Sequence, residues 1–487
     1  MQIESKCRES LNGLLQKGVT YADVRVHLVD KRQSIGTMCG SLDSQSVSEE
    51  QGVGVRVLFQ GAWGFASSHS KEDVDWVANK ALENAKSAAK LSAYPICLLP
   101  KPIIVDNYRD PSEIDPFSVP LADKVSFFLD LDKQIKREGL AYWGASGSFY
   151  KKEVLYMDTE GSFIRKELVD VDGHLYAFAN DREGRSLRRS HNLFYDAQAT
   201  TGWETFLNPQ LFSRFAPIIS EELLTLASAP QCEKMTADLL ILNNQMALQT
   251  HETIGHPLEL DRILGYEMSY AGGSFIGLED FNSLQYGADK LTVQANGVIR
   301  NSPGSFGFDD DGVAAQNVVL IEQGVLRNAL TSRQMAAEAN NRLGRTLFAK
   351  SGGTSRASSY NRTPLERMTN INIMSGNDGS LEDIISKMEK GLMLDNPVSW
   401  SIGSNRENFH FACEIGWLIK DGRIEKMVKN PAYSGDTLPF WRSLSKVGSQ
   451  ETWKMEVVYN CGKGQPNQIM RLGHGVPVCL FTDVSIG

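Results

Sequence analysis

The chain has 487 residues, of which 41% are hydrophobic and 22% are charged, and its formal net charge is −9. This length allows two or more domains that each bury a core, and the composition is that of a globular protein without low-complexity tracts. The acidic balance argues against direct binding of nucleic acid, because that affinity comes largely from neutralising phosphates.

Cysteine usage and the apolar pattern indicate where the protein works. No apolar run approaches the roughly 20 residues of a membrane span, and the first ten residues, MQIESKCRES, lack the apolar core of a secretory signal. Isolated cysteines are typical of a reducing compartment rather than of a disulfide framework. The sequence therefore predicts a cytoplasmic protein without a membrane partner. The cysteines are Cys7, Cys39, Cys97, Cys232, Cys413, Cys461 and Cys479.

The first half alternates between helical and strand-like patterns. Helices are predicted over residues 5–16, 70–89, 121–138 and 209–227. Strands are predicted over residues 21–29, 52–59 and 62–67. Ser70 and Asp73 are placed to cap the second helix. Recurring prolines mark residues 94–120 as an extended connection.

An antiparallel meander is predicted over residues 141–199, because turn signals recur at short intervals. These signals are Thr159-Glu160-Gly161, Asp172-Gly173 and Glu183-Gly184. The basic segment 182–189, REGRSLRR, is interpreted as a solvated hairpin end. A short polar connection over residues 228–233 predicts a boundary between an N-terminal domain, 1–230, and a C-terminal domain, 231–487.

The second half is richer in strands. Hairpins are predicted over residues 318–330 and 409–427, around Gln323-Gly324 and Asp421-Gly422. Helices are predicted over residues 332–340, 380–390 and 438–447, and the last strands over residues 453–460 and 476–485. Many strands and few helices predict a sandwich- or barrel-like domain. Residues 309–311, three aspartates, lack the EF-hand pattern and are interpreted as a polar turn.

The strongest chemical signal lies between Ala237 and Ile263. A short apolar strand, residues 239–242, and a polar turn at Asn243 and Asn244 precede a helix that carries His251, Glu252 and His256. The motif His-Glu-x-x-x-His is one residue longer than the zinc motif His-Glu-x-x-His.

The extra residue changes the geometry of this helix. At i and i+5 the two histidines would lie about 140° apart on a regular helix, too far round to share one ion easily. A π-type turn would return them to one face, and Pro257 favours such a distortion because it cannot donate to the carbonyl four residues earlier. The sequence predicts a π-bulge or kink between His251 and Pro257.

A catalytic zinc usually has three protein ligands and a water, and spacing alone does not choose the third ligand. Candidates are His410, His474, Cys413, Cys461, Cys479 and several carboxylates. His410, Cys413 and Cys479 lie in apolar strand patterns, which favours core packing. Cys461 follows a predicted strand and opens the glycine-rich segment 460–465, where Lys463 would favour its thiolate.

Two acidic residues follow the second histidine of the motif. Glu259 and Asp261 could orient the histidines from outside the ligand set. Solvated helix charges are the preferred interpretation of both residues.

Seven short motifs along nearly the whole chain resemble one known family. They are GVGVRV (52–57), GAWGFA (61–66), HETIGH (251–256), DDGVA (310–314), LIEQGVL (320–326), RMTN (367–370) and NCGK (460–463). Their order and spacing are similar to those of the TldD/PmbA family of metallopeptidases, in particular its metal-binding TldD type. The departures are Pro257, where many relatives have glycine, and residues 242–244, which replace a glycine-rich turn.

The resemblance implies an α+β fold of two domains, with an α/β N-terminal half and a β-rich C-terminal half. It implies zinc held by His251, His256 and Cys461, with Glu252 as the catalytic carboxylate. It also implies a dimer that encloses the active site, formed with a second copy or with a metal-free PmbA/TldE-type paralogue.

The predicted function is zinc-dependent hydrolysis of peptides or unfolded polypeptide segments, with metal-activated water and Glu252 as general base. The alternative is a non-catalytic regulatory or binding subunit with a structural zinc site. The two differ in the metal site, because a structural zinc normally has four protein ligands.

Overall fold

The computed structural model describes residues 2–92, 94–195, 201–300 and 302–487. Residues 196–199 of the predicted meander lie outside this part. The α-helices are α1 (Gln2–Gln16), α2 (Val74–Ala89), α3 (Leu121–Ile135), α4 (Glu204–Leu207), α5 (Phe215–Ser228), α6 (Asn243–Thr250), α7 (Leu260–Ile263), α8 (Arg333–Leu343), α9 (Leu381–Ser386) and α10 (Thr437–Arg442). Along these residues, no helix is both long and apolar enough to cross a membrane.

The strands fall into two groups along the chain. Those of the first half are β1 (Tyr21–Met38), β2 (Ser41–Phe59), β3 (Ala62–Ser68), β4 (Val105–Arg109), β5 (Tyr142–Asp158), β6 (Phe163–Asn180) and β7 (Ser186–Asn192). Those of the second half are β8 (Met235–Ile241), β9 (Val293–Asn296), β10 (Asn317–Glu322), β11 (Val325–Leu326), β12 (Ser355–Arg356), β13 (Leu365–Glu366), β14 (Ile371–Ile373), β15 (Lys390–Ile402), β16 (Asn408–Lys420), β17 (Arg423–Lys429), β18 (Ala432–Asp436), β19 (Leu444–Val447), β20 (Lys454–Lys463), β21 (Gln468–Val476) and β22 (Cys479–Ile486).

The first half forms one mixed sheet in the order β3-β2-β1-β5-β6-β4, and β7 also pairs with β6. The pairs are antiparallel except that β4 runs parallel to β6. Buried alternate valines, Val53, Val55 and Val57, pack with α1 and α2, which cover one part of the sheet. Helices α3 and α5 pack with Phe149 and Leu175 in a second core.

The second half is built around a closed barrel. Among the described residues, five strands form the ring β15-β8-β22-β18-β16, which the pairing of β15 with β16 closes. Along β8, Leu239 and Ile241 belong to one core cluster and Leu240 to another, as expected when successive side chains point to opposite faces. The predicted α+β class with a barrel-like second half is therefore confirmed.

Several local predictions are also confirmed. The hairpins β10–β11 and β16–β17 turn at Gln323-Gly324 and Asp421-Gly422. Helices α1, α2, α3, α8 and α9 match predicted ones to within a few residues, although α9 ends earlier, at Ser386.

Other local predictions are wrong. Asp172-Gly173 is no turn, because β6 runs through both residues. Ser70 makes no side-chain cap; the hydroxyl of Ser68 bonds to Asp73 instead. The helix predicted over residues 209–227 begins only at Phe215, and the one over residues 438–447 ends at Arg442, after which β19 begins.

The basic segment 182–189 is not simply a solvated hairpin end. Arg189 is buried, and its guanidinium reaches Glu222 on α5 at 2.6 Å and Asp395 on β15 at 2.9 Å. Arg188 donates to Glu414 on β16 at 2.6 Å, and the Ser190 hydroxyl donates to the same carboxylate. These contacts join the first sheet to the barrel.

The three aspartates of residues 309–311 form the predicted polar turn, which is buried. The Asp309 carboxylate accepts from the backbone N–H groups of Asp311 and Val313. Asp310 pairs with Lys166 of β6 at 2.9 Å, and Asp311 pairs with Arg56 of β2 at 2.8 Å. The turn is therefore a second ionic link between the two halves.

We expect Glu414→Gln to lower the apparent free energy of unfolding by about 3 kcal/mol, because removing one partner of a buried ion pair leaves uncompensated charge. Denaturation in urea, followed by tryptophan fluorescence, measures the change. The matched control is Glu83→Gln, whose carboxylate pairs with Lys80 at the surface, and we expect a change below about 0.5 kcal/mol. Equal effects of the two substitutions would contradict the role of Glu414.

Candidate metal centre

The helix that carries the two histidines changes its winding where they lie. Strand β8 ends at Ile241, and α6 begins at Asn243, so the predicted turn at Asn243 and Asn244 is wrong. A π-helical turn follows over His251–Gly255, in which the N–H of His256 donates to the carbonyl of His251. The predicted distortion between His251 and Pro257 is confirmed.

The π turn brings the two imidazoles together. The ring centroids of His251 and His256 lie 4.7 Å apart, and the planes are inclined by 81°. Gly255 allows this turn to pack closely, because a Cβ atom there would lie 2.3 Å from Sδ of Met368. Met368 is buried, so a larger residue at position 255 would require this side chain or the helix to shift.

Cys461 lies beside the histidines, within β20 rather than on the predicted glycine-rich turn. Its Sγ is 3.7 Å from Nε2 of His256. One ligand atom from each of His251, His256 and Cys461 lies within 4.8 Å of the others, and all three residues are buried. The other cysteine candidates, Cys413 and Cys479, pack in the barrel core.

Neither of the other histidine candidates, His410 and His474, belongs to this group of three residues. His410 is exposed on β16. His474, on β21, faces His251 with its Nε2 2.8 Å from Nδ1 of His251, and its own Nδ1 lies 3.2 Å from the carbonyl oxygen of Ile371. His474 therefore orients His251. This role could not be predicted, because His474 lies far along the sequence from the motif.

Glu259 orients the other histidine. Its Oε2 lies 2.9 Å from Nδ1 of His256, and the residue has no exposed surface. The preferred interpretation of Glu259 and Asp261 as solvated charges is wrong, because both are buried. The signal in the sequence was the i, i+3 spacing of Glu259 from His256, which places two side chains together on a helical segment.

Charges behind the site hold these groups in place. Lys463 pairs with Asp261 at 2.6 Å and with Glu259 at 3.3 Å, and Arg262 donates to Glu259 at 2.7 Å. Burial alone would raise the pKa of Glu259, but the charges of Lys463 and Arg262 and the hydrogen bond with His256 hold that pKa well below its usual range. The ammonium of Lys463 is thus engaged by carboxylates.

The prediction that Lys463 favours the thiolate of Cys461 is therefore wrong. Burial raises the pKa of the Cys461 thiol, and the charge of Arg367 opposes this increase. Burial also lowers the pKa of His251 to about 4 and that of His256 further below its usual value. Both imidazoles are therefore neutral near pH 7, which is the form that binds metals.

This donor set fits a zinc ion. Two neutral imidazoles and one cysteine sulfur converge, and nitrogen and sulfur are the donors that zinc prefers. Burial of the thiol disfavours its charged form, and a dication in contact with the sulfur would reverse that preference. His251, His256 and Cys461 are thus the residues that could hold a metal ion here.

Glu252 and Arg406 face the cleft in front of these residues. The cleft has a volume of about 480 Å³ and is lined by His251, Glu252, His256, Trp400, Arg406 and Cys461, among others. Arg406 Nη1 forms an ion pair with Oε2 of Glu252. Arg406 lies on the turn between β15 and β16 with a φ of 68°, a left-handed conformation that is unusual for a residue with a side chain. No local pattern indicated this contact.

Comparisons with known proteins agree with this arrangement. The sequence profile described as the PmbA/TldA metallopeptidase C-terminal domain matches residues 235–487, and that of PmbA/TldA metallopeptidase domain 1 matches residues 28–85. A metalloprotease of Methanocaldococcus jannaschii is 26% identical over 472 residues, which cover 96% of each chain. A zinc metalloprotease TldD homolog of Saccharolobus solfataricus is 28% identical over 203 residues, which cover 41% of this chain and 40% of that protein.

A solved structure shares the whole fold. The crystal structure of TldE from Thermococcus kodakarensis superposes with a TM-score of 0.72 and 15% sequence identity, and the match covers 100% of both chains. The first profile alone spans more than half of the present sequence. The chain belongs to the PmbA/TldD family of metallopeptidases.

Proposed function

We propose that the protein is a zinc-dependent metallopeptidase that hydrolyses peptides or unfolded polypeptide segments. The observation that carries the proposal is the convergence of His251, His256 and Cys461 beside Glu252 in one cleft. Three protein donors are the usual number for a catalytic zinc, and four for a structural one. The name of the Saccharolobus relative, a zinc metalloprotease, supports the choice of metal.

Each nearby side chain has a distinct task in this proposal. A zinc ion bound by the three residues would supply Lewis acidity, which acidifies water and polarises a peptide carbonyl. A carboxylate oxygen of Glu252 accepts the proton of the attacking water and passes it to the nitrogen of the leaving amine. Arg406 positions Glu252 by holding its Oε2 atom. His474 and Glu259 fix the imidazoles through their Nδ1 atoms.

The strand that carries Cys461 offers a way to bind an extended peptide. Strand β20 contributes residues 456–461 to the lining of the cleft. Its pairing with β21 is interrupted between Val458 and Cys461, which leaves Tyr459 and Asn460 without partners in the β21 register. A peptide that adds to this strand would use backbone hydrogen bonds, with little selectivity for sequence.

The proposal extends to the organisation of the molecule. We place the domain boundary near residue 230, between α5 and β8. We also propose that the protein works as a dimer, with a second copy or with a PmbA/TldE-type paralogue. The structural match to a chain named TldE supports the second pairing.

The central test compares peptide cleavage and bound zinc in the wild type, Glu252→Gln and Cys461→Ala. We expect Glu252→Gln to keep its zinc and to lose about 10²- to 10⁴-fold in kcat/KM, the usual contribution of a general base. We expect Cys461→Ala to lose zinc, because one of three ligands is missing. Fluorescent unfolded casein and atomic emission spectrometry provide the two readouts.

The control for this experiment is Glu279→Gln, which alters an exposed glutamate and should change neither readout. Undiminished cleavage by Glu252→Gln would refute the role of Glu252. Stoichiometric zinc with no cleavage by the wild type would favour the regulatory subunit with structural zinc.

A second prediction concerns Glu259. We expect Glu259→Gln to weaken zinc binding about 10- to 100-fold, because the histidine that it orients loses a charged acceptor. Competition with a chromophoric chelator measures the affinity, again with Glu279→Gln as the control. Because Glu259 also contacts Arg262 and Lys463, circular dichroism must show that the variant is folded. Unchanged affinity in a folded variant would contradict the orienting role.

A third prediction concerns Arg406. We expect Arg406→Gln to lower kcat by about tenfold, within the range by which a misplaced catalytic group slows a reaction. Zinc content should stay unchanged, because Arg406 contacts Glu252 and not the three donors. Arg406→Lys keeps a positive charge and should recover part of the loss. A loss of zinc in Arg406→Gln, or equal kcat in all three proteins, would exclude a positioning role.

A further inference from the structure

A second cleft adjoins the candidate metal cleft. It has a volume of about 330 Å³ and lies between strands β1, β5 and β6 of the first sheet and strands β20 and β21 of the second half. Tyr459 and Asn460 line both clefts. An extended peptide that follows β20 past Cys461 therefore meets the second cleft.

The second cleft is predominantly cationic. Its positively charged lining residues are Arg32, Lys152, Lys166, Arg356 and Arg471. His27 also lines it, but burial lowers the pKa of that imidazole to about 4, so it is neutral near pH 7. The two halves of the chain supply these cations jointly, which makes the cleft a feature of their contact.

The acidic residues of the cleft offset only part of this charge. They are Asp110, Asp170 and Asp310. Asp310 pairs with Lys166, Asp170 with Arg471, and Asp30, just outside the lining, with both Lys152 and Arg32. Burial raises the pKa of Asp110 to about 8, which leaves that carboxyl largely protonated near pH 7.

Arg356 forms no ion pair with any residue that the structure describes, although the charges of Asp310 and Asp309 act on it from a distance. Only 8% of the residue is exposed, and within the described chain its Nε has no acceptor. Its Nη2 donates to the carbonyl of Met368, and its Cζ lies 4.6 Å from the centre of the Phe306 ring. Arg471 also lines the cleft, and its Nε is a second buried donor without an acceptor among the described residues. Both Nε donors are buried, and neither has an acceptor in the part of the chain that the structure describes.

Burial and the neighbouring Arg367 lower the pKa of Arg356 to about 10. The guanidinium therefore remains charged near pH 7 without an ion pair to a described residue. Guanidinium groups of this kind bind carboxylates and phosphates strongly, because the hydrogen bonds are charge-assisted.

We propose that this second cleft binds a carboxylate of the peptide substrate, with Arg356 as the main contact. This inference rests on the proposed peptidase function, and it assigns that function a preference for peptides that carry an acidic side chain or a free C-terminus near the cleaved bond. Backbone pairing along β20 would remain independent of sequence, so the carboxylate supplies the selectivity.

The test uses four peptides of one sequence, which differ in a free or amidated C-terminus and in Glu or Gln at one position. We expect wild-type KM to be about tenfold lower for the peptide with the preferred carboxylate, which corresponds to one charge-assisted hydrogen bond. The pair of peptides that shows the difference identifies the source. In Arg356→Gln the difference should disappear, and Arg356→Lys should retain part of it.

A binding experiment keeps this inference separate from the proposed function. Glu252→Gln with labelled forms of the four peptides gives dissociation constants by fluorescence anisotropy, without turnover. Preference for a carboxylate in binding, with no cleavage by the wild type, would support the cleft and refute the peptidase. Normal cleavage with equal affinity for all four peptides would overturn the cleft proposal and leave the peptidase intact.

Two controls complete the design. Arg327→Gln removes a surface arginine that pairs with Glu322, and it should leave the preference unchanged. If Arg356→Gln does not fold, Arg32→Gln at the exposed rim of the cleft provides the second variant and should reduce the preference. Binding of inorganic phosphate without any preference among the peptides would show an anion site unrelated to substrate and would also overturn the proposal.

Discussion

The carboxylate of Glu259 is the interaction on which the rest of the site depends. It has no exposed surface, and it contacts His256, Arg262 and Lys463. A buried charge is stable only when paired and hydrogen-bonded, so β20, which supplies Lys463, must meet the segment 256–262, which supplies the other two partners. Lys463 lies two residues beyond Cys461 in β20, and residues two apart in a strand point to the same face. The ionic contact of Lys463 therefore also sets the register at which Cys461 reaches the histidines.

The π turn is the second constraint, and its surroundings are adapted to it. The wide turn alters the usual hydrogen bonding of the helix, and nearby side chains engage its polar groups. The hydroxyl of Tyr286 donates to the carbonyl of Thr253, and the indole N–H of Trp441 lies 2.9 Å from the Thr253 hydroxyl. Both aromatic residues are fully buried. The unusual spacing of the motif is thus held by packing from the core and not by the helix alone.

The sequence was informative at several places where the chemistry is local. Gln323-Gly324 and Asp421-Gly422 adopt positive φ at both residues, a conformation that favours glycine and marks tight hairpins. The i, i+5 spacing of His251 and His256 likewise predicted the π turn, because both residues lie on one short helical segment. Contacts between distant segments could not be predicted from local sequence patterns. Arg406 and His474, for example, lie far along the chain from the residues that they orient. Strand β21 also escaped prediction, because Gly473 and Gly475 lie within it and glycine is depleted in strands.

The irregularity in β20 affects both the position of Cys461 and the lining of the two clefts. A regular pairing of β20 with β21 would engage Tyr459 and Asn460 in the ladder, whereas the register shift leaves both residues free to line two clefts. Cys461 resumes the pairing directly after the shift, opposite Met470. Bulges of this kind re-aim side chains and are common beside active sites. One local shift of the strand therefore accounts both for a thiol that faces the histidines and for a path from the metal centre to the cationic cleft.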